Sequence, residues 1–118
     1  MATRRLKTYA AQTGYAYTYY FVGQRRALEH ELPALEYIFD VSSDRKLTYA
    51  VSVFLLDAAV AAWAGAHGRP LRQDEQYAAA KLRLLRCLDE VEDVIGQGRR
   101  LHLDAAGLEE LLSALGVD

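Results

Sequence analysis

Tyr15-Ala16-Tyr17-Thr18-Tyr19-Tyr20-Phe21-Val22 is the stretch that decides the fold. Aromatic and β-branched residues alternate along it, and a period of two sends successive side chains to opposite faces of a strand. Tyr15, Tyr17, Tyr19 and Phe21 fall on one face, and Gly14 and Gly23 bracket the run. The period returns from Leu35 to Val41, with Leu35, Tyr37, Phe39 and Val41 on one side and Glu36, Ile38 and Asp40 on the other. It returns again from Leu47 to Leu56, where Leu47, Tyr49, Val51, Val53 and Leu55 alternate with Thr48, Ala50, Ser52, Phe54 and Leu56. Three strands thus offer one heavily apolar, tyrosine-rich face.

Register follows from keeping the rich faces together, because a slip of one residue inverts every side chain. An even loop across Ser42-Ser43-Asp44-Arg45-Lys46 would mix rich and poor faces. An odd loop of three or five residues sets Val41 opposite Leu47, Phe39 opposite Tyr49 and Tyr37 opposite Val51. Ahead of these strands, Arg4 to Ala10 predicts an edge strand that turns at Gln12-Thr13-Gly14.

The pattern changes at Asp57, which has the chemistry of a helix N-cap. Ala58 to Ala66 is a short alanine-rich helix carrying Val60 and Trp63, stopped by Gly68 and Pro70. His67 suits the negative end of its dipole. Gln73 to Ile95 is the longest helix, with Tyr77, Leu84, Leu88, Val91 and Ile95 recurring at spacings of three, four and seven. Gly96-Gln97-Gly98 ends it. A short extended Leu101-His102-Leu103 follows, with His102 pointing away from the core. Asp104 then caps a last helix carrying Leu108, Leu111, Leu112 and Leu115, closed by Gly116.

Strands grouped before helices predict an α+β domain. The expected architecture is an antiparallel three- to four-stranded β-meander followed by two to three helices packed on its rich face. It occupies residues 1–118 as a single domain, strands over 4–56 and helices over 58–115. A chain of 118 residues leaves no room for a second core, and 52% hydrophobic with 25% charged residues excludes collagen-like or largely disordered sequence. The apolar run from Tyr49 to Ala66 is interrupted by Asp57, which splits it into a strand and a helix instead of a membrane span. No export signal follows the basic N-terminus. Cys87 is the only cysteine, so no intramolecular disulfide forms and a reducing, cytoplasmic setting is expected.

Net charge is -2, which lacks the basic excess of most nucleic-acid-binding domains. It is polarised, however: the residues before Asp57 carry +2 and the remainder -4. Tyr15, Tyr17, Tyr19 and Tyr37, together with Arg25, Arg26 and Arg45, form the candidate ligand or nucleic-acid surface, since rings on a sheet stack bases and guanidinium groups hold phosphates. The competing reading makes the same tyrosines the core beneath the helices, and it is preferred. An intermediate arrangement has their hydroxyls lining a small-ligand pocket.

Cys87, among Leu84, Leu85 and Leu88, reads as a buried thiol. Asp89, Glu90, Glu92 and Asp93 read as a solvated acidic face, eased locally by Arg83 and Arg86. No GxGxxG, P-loop, HExxH, CxxC or GxSxG pattern is present. No catalytic residue, metal or cofactor is therefore assigned. The leading expectation is a non-enzymatic binding protein acting as a homo-oligomer, through the small residues of Ala58 to Ala66 or through Phe54, Tyr20 and Ile38 on the second sheet face. Single-stranded nucleic acid, a protein partner, and a role as a small-ligand carrier or enzyme with a Tyr-lined pocket rank behind self-association, and no membrane partner is expected.

Overall fold

The computed structural model describes residues 6–43, 47–90 and 99–118. In chain order its elements are β1 (Lys7–Ala10), β2 (Ala16–Glu29), β3 (Leu32–Ser42), β4 (Tyr49–Leu56), α1 (Asp57–His67), α2 (Gln73–Glu90), β5 (Arg100–Leu103) and α3 (Ala105–Ala114). The α+β class holds, but the sheet has five strands in the order β1-β2-β3-β4-β5 instead of three or four. The segment at Leu101 to Leu103 is the fifth strand, and it runs parallel to β4. Parallel neighbours need a long crossover, which α1 and α2 supply, so the strands do not all precede the helices.

β1 pairs antiparallel with β2 from Lys7↔Tyr19 to Ala10↔Ala16. The turn between them sits where Gln12-Thr13-Gly14 predicts it: Gly14 adopts φ 98° and donates to the Ala11 carbonyl at 3.0 Å. Arg4 and Arg5, the start of the expected strand, lie outside the described residues, as do Asp44 to Lys46 and the 91–98 end of the expected long helix.

Gly23 does not end the second strand. A bulge leaves Val22 as the extra residue between the pairs Phe21↔Phe39 and Gly23↔Ile38, and β2 continues to Glu29. One inserted residue reverses the parity of everything after it. Gln24, Arg26 and Leu28 therefore continue the face of Phe21, while Arg25, Ala27 and Glu29 continue the face of Tyr20. Beyond the bulge, β2 and β3 run on as an arm closed by the two-residue turn His30-Glu31, at φ 50° and 68°; β4 flanks β3 as far as Ala34, so only the tip of the arm is two-stranded. Positive φ at both turn residues matches the strand twist, yet neither side chain is suited to it. Replacing the turn by Asn-Gly (His30→Asn, Glu31→Gly) is expected to raise stability by about 1 kcal/mol, read as a higher urea midpoint at unchanged slope.

The β3–β4 register differs from expectation by two residues: Val41 faces Tyr49, Phe39 faces Val51 and Tyr37 faces Val53. Parity survives, because residues 42–48 still number seven, an odd loop, and a shift of two leaves every face unchanged. The pairing is longer because β3 extends to Ser42, which partners Thr18 of β2. Leu47 consequently falls outside β4 and is 59% exposed.

The rich face meets the helices. Tyr17, Tyr19, Tyr37, Phe39, Val41, Val51, Val53 and Leu55 join Trp63, Leu84, Leu88, Leu108 and Leu112 in one buried cluster. Tyr77 of α2 sets its ring against Phe21 at 5.0 Å and against Tyr37 and Phe39 at 6.3 Å, tilted contacts that aromatic quadrupoles favour. Cys87 is buried, and burial pushes its thiol up. The sheet curls into a half-barrel away from the helices. Arg100 on β5 reaches Glu29 on β2 at 3.2 Å, although three strand spacings in a flat sheet would be about 14 Å.

The helix ends follow their sequence signals with one exception. Gly68 closes α1 at φ 70°, Asp104 accepts from the Gly107 N–H at 2.8 Å, and Gly116 turns at φ 76°. Asp57 is not an N-cap: it is the first residue of α1, and its carboxylate is drawn away to Arg26 on the arm. Strand and helix do divide at this residue, and among the described residues no helix is long and apolar enough to cross a membrane.

Candidate functional site

The arm and α1 stand side by side without filling the space between them. Arg26 and Leu35 from the arm, Leu55 from β4, and Val60, Ala61 and Ala64 from α1 wall a cleft of about 330 Å³. Pro70, Leu71 and Gln76, around the start of α2, close its end. The bulge at Val22 makes this possible, since without it Arg26 would face the other side of the sheet. The lining is apolar apart from Gln76 and the Arg26–Asp57 pair at the mouth. An apolar recess with a few placed polar groups is the usual form of a binding site. Both members of the ion pair are about half exposed or more, at 62% and 48%, so the pair orients the mouth more than it stabilises the fold. Just beyond it, Leu28 and Leu32 at the arm's tip are 67% and 52% exposed.

The opposite, concave face is polar and self-satisfied. Glu36 accepts from Arg25 Nε at 2.8 Å and from the Ser52 hydroxyl at 2.6 Å. Burial alone would push its carboxyl up, but those two bonds and the charges of Arg25 and Arg100 outweigh it and hold the group below its usual range. Arg100 also covers the Phe54 ring at 4.4 Å, leaving Phe54 2% exposed. Tyr20 donates to Asp40 at 2.7 Å. Of the apolar patch expected from Phe54, Tyr20 and Ile38, Phe54 is covered by Arg100, while Tyr20 and Ile38 are partly buried.

The residues singled out in the sequence are dispersed. Tyr17 and Tyr37 are 1% exposed and Tyr19 is 6% exposed, all within the core. Burial pushes the Tyr37 phenol up to about 12. Tyr15 precedes β2, is 47% exposed, and keeps its ring 6.0 Å from that of Tyr17. Arg25 and Arg26 lie on opposite faces of the arm, as neighbours in a strand must, and Arg45 is outside the described residues. Of the six that are described, only Arg26 lines the cleft.

Elsewhere, polar side chains join elements. Asp89 accepts from the Tyr9 hydroxyl at 2.7 Å and the Gln12 N–H at 3.0 Å, tying β1 to α2. Arg83 and Arg86 bond the His102 carbonyl and Glu110, while Glu92 and Asp93 of the expected acidic face lie outside the described residues. His67, remote from Asp57 across α1, meets Glu109 of α3 at 2.8 Å. Among the described residues, no group of three His, Cys, Asp or Glu side chains converges as a metal site would require. Comparison with family models, curated proteins and solved structures finds no match to this chain.

Proposed function

We propose that the protein is a small non-enzymatic binding protein that works as a homo-oligomer, the arm of one copy lodging beside α1 of another. The supporting observation is the pairing of surfaces on each copy: two exposed leucines at the arm's tip, and an apolar cleft with a small-residue helix beside it. By register, Leu28 lies on the cleft side of the arm and Leu32 on the other, so a partner can grip the tip from both sides. Exposed leucines clustered on a projecting hairpin mark an interaction surface. Ala58, Ala61, Ala62 and Ala66 of α1 are exposed and allow close backbone approach. Because each copy carries both surfaces, a two-fold dimer satisfies both at once.

Light scattering at tens of micromolar tests this. The wild-type chain is expected at twice the monomer mass, and the double variant Leu28→Asp, Leu32→Asp at the monomer mass with its thermal melt unchanged. A monomeric wild-type chain would overturn the reading.

A further inference from the structure

Past Tyr19 the outer side of β2 carries no neighbouring strand among the described residues: β1 pairs only with Ala16 to Tyr19, and β3 lies on the other side. The arm's own turn fixes which backbone groups face that open side. A two-residue turn is closed by a hydrogen-bonded pair, here Glu29 with Leu32, and bonded and unbonded pairs alternate down an antiparallel ladder. Ala27↔Ala34 and Arg25↔Glu36 are therefore the next bonded pairs, and the N–H and C=O groups of Gln24, Arg26 and Leu28 point outward. Pro33, which has no N–H, sits opposite Leu28, where the ladder to β2 needs none. Among the described residues the outward groups have no backbone partner.

We infer that two copies join by antiparallel pairing of this edge with itself, the two-fold axis passing between the two Ala27 residues; this rests on the homo-oligomer reading above and specifies how its copies meet. An open strand edge is a template for a further strand, and the main-chain bonds supply the attraction. The centre of the pairing is read from the side chains. Centred on Arg25 or on Arg26, like charges stand directly opposite each other, which is unfavourable. Centred on Leu28, only Ala27 to Glu29 pair within β2, because the strand ends there. Centred on Ala27, all of Arg25 to Glu29 pair. Arg25 then stands opposite the partner's Glu29, and Arg26 opposite the partner's Leu28. Arg25 commits only Nε to Glu36, and Glu29 only Oε1 to Arg100 and His30, so the remaining guanidinium donors can meet the remaining carboxylate oxygen across the axis, an opposite-charge pair formed twice.

The same register completes the cleft. Arg26, Leu35 and Leu55 are direct cross-strand partners in one row over β2, β3 and β4, and all three line it. The partner's Leu28 becomes the next member of that row, one strand spacing of about 4.8 Å beyond Arg26, and adds an apolar side chain at the cleft's mouth. Each copy gives one leucine and receives one. An isologous contact of this kind closes on itself, and the kink at Val22 keeps it clear of the aromatic run, so assembly ends at two copies.

Disulfide trapping tests the register. Arg25→Cys, Arg26→Cys, Ala27→Cys and Leu28→Cys are made one at a time and held in a glutathione redox buffer, with the wild-type chain, whose Cys87 is buried, as background. The two Ala27 residues form an unbonded pair with Cα atoms about 4.5 Å apart, within disulfide reach, whereas identical residues at the other three positions stand about 8 Å or more apart. Ala27→Cys is expected to give about tenfold more covalent dimer than any of the other three on a non-reducing gel, and its reduced form to melt with wild type, since Ala27 is only half-buried. A wild-type chain that is dimeric by light scattering, with another position cross-linking best or with none cross-linking above background, overturns this pairing and leaves self-association standing. A monomeric wild-type chain overturns both.

Discussion

Phe39→Ala is expected to cost about 3–5 kcal/mol of folding stability, the range for emptying a buried phenylalanine site. Phe39 is fully buried at the centre of the sheet, paired with Phe21 on β2 and Val51 on β4 and covered by the Tyr77 ring. No neighbour can collapse into the gap, because β2 and β4 are fixed on either side by backbone pairing and α2 is pinned by its own buried leucines. Against a typical domain stability of about 5–15 kcal/mol, the loss is a large fraction. Leu47→Ala, at an apolar residue with the same strand parity but 59% exposed, is expected to stay within about 0.5 kcal/mol of wild type. Denaturant melts of the two variants check the claim that β4 begins at Tyr49. Similar costs would mean that Leu47 packs as a strand residue.

The largest response to pH is expected at Glu75. Its carboxylate takes both Arg69 amino groups at 2.9 Å and the Arg72 N–H at 2.9 Å. The last contact is half of a capping box, in which a glutamate in the first turn satisfies a free backbone donor. Arg69 in turn lies over the Trp63 ring at 4.7 Å and reaches the Asp118 carbonyl at 3.3 Å. One carboxylate thus holds the α1–α2 connection, the indole and the C-terminus together. The Arg69 and Arg72 bonds hold its pKa down from 4.5 to about 2. A depressed carboxyl contributes stability in full above its unfolded value, and loses it as pH falls through the folded value. Glu75→Gln is therefore expected to melt below wild type at pH 7, with the gap narrowing from about pH 4.5 downward and closing near pH 2. A gap of constant size across that range would show that the charge of Glu75 contributes nothing.

Those two sites also show what the sequence could and could not convey. The face of Phe39 was legible because a period of two is a local property, and parity survives errors of two residues in register. The arm was not legible. His30-Glu31 carries none of the Asn, Asp or Gly signals of a two-residue turn, so Gly23, which follows a bulge, reads as the end of a strand. That misreading hides the parity change and with it the placing of Arg26 at the cleft. β5 was visible only as a short extended piece, since four residues cannot declare whether their neighbour is parallel. Glu36 was readable as a strand residue, but Arg25 lay past the point where the second strand reads as ending, so their pairing, which depends on the bulge, was hidden.

The same bulge bears on solubility. A run such as Tyr15 to Val22, aromatic, β-branched and uncharged, is the kind of segment that stacks into fibrils when its backbone edge is open. In the folded chain β3 occupies one side of it, and β1 occupies the other as far as Tyr19. Past that point the kink at Val22 breaks the flat ladder that an incoming strand would need. The residue that turns Arg26 toward the cleft is also the one that makes the exposed remainder of that run a poor template for another chain.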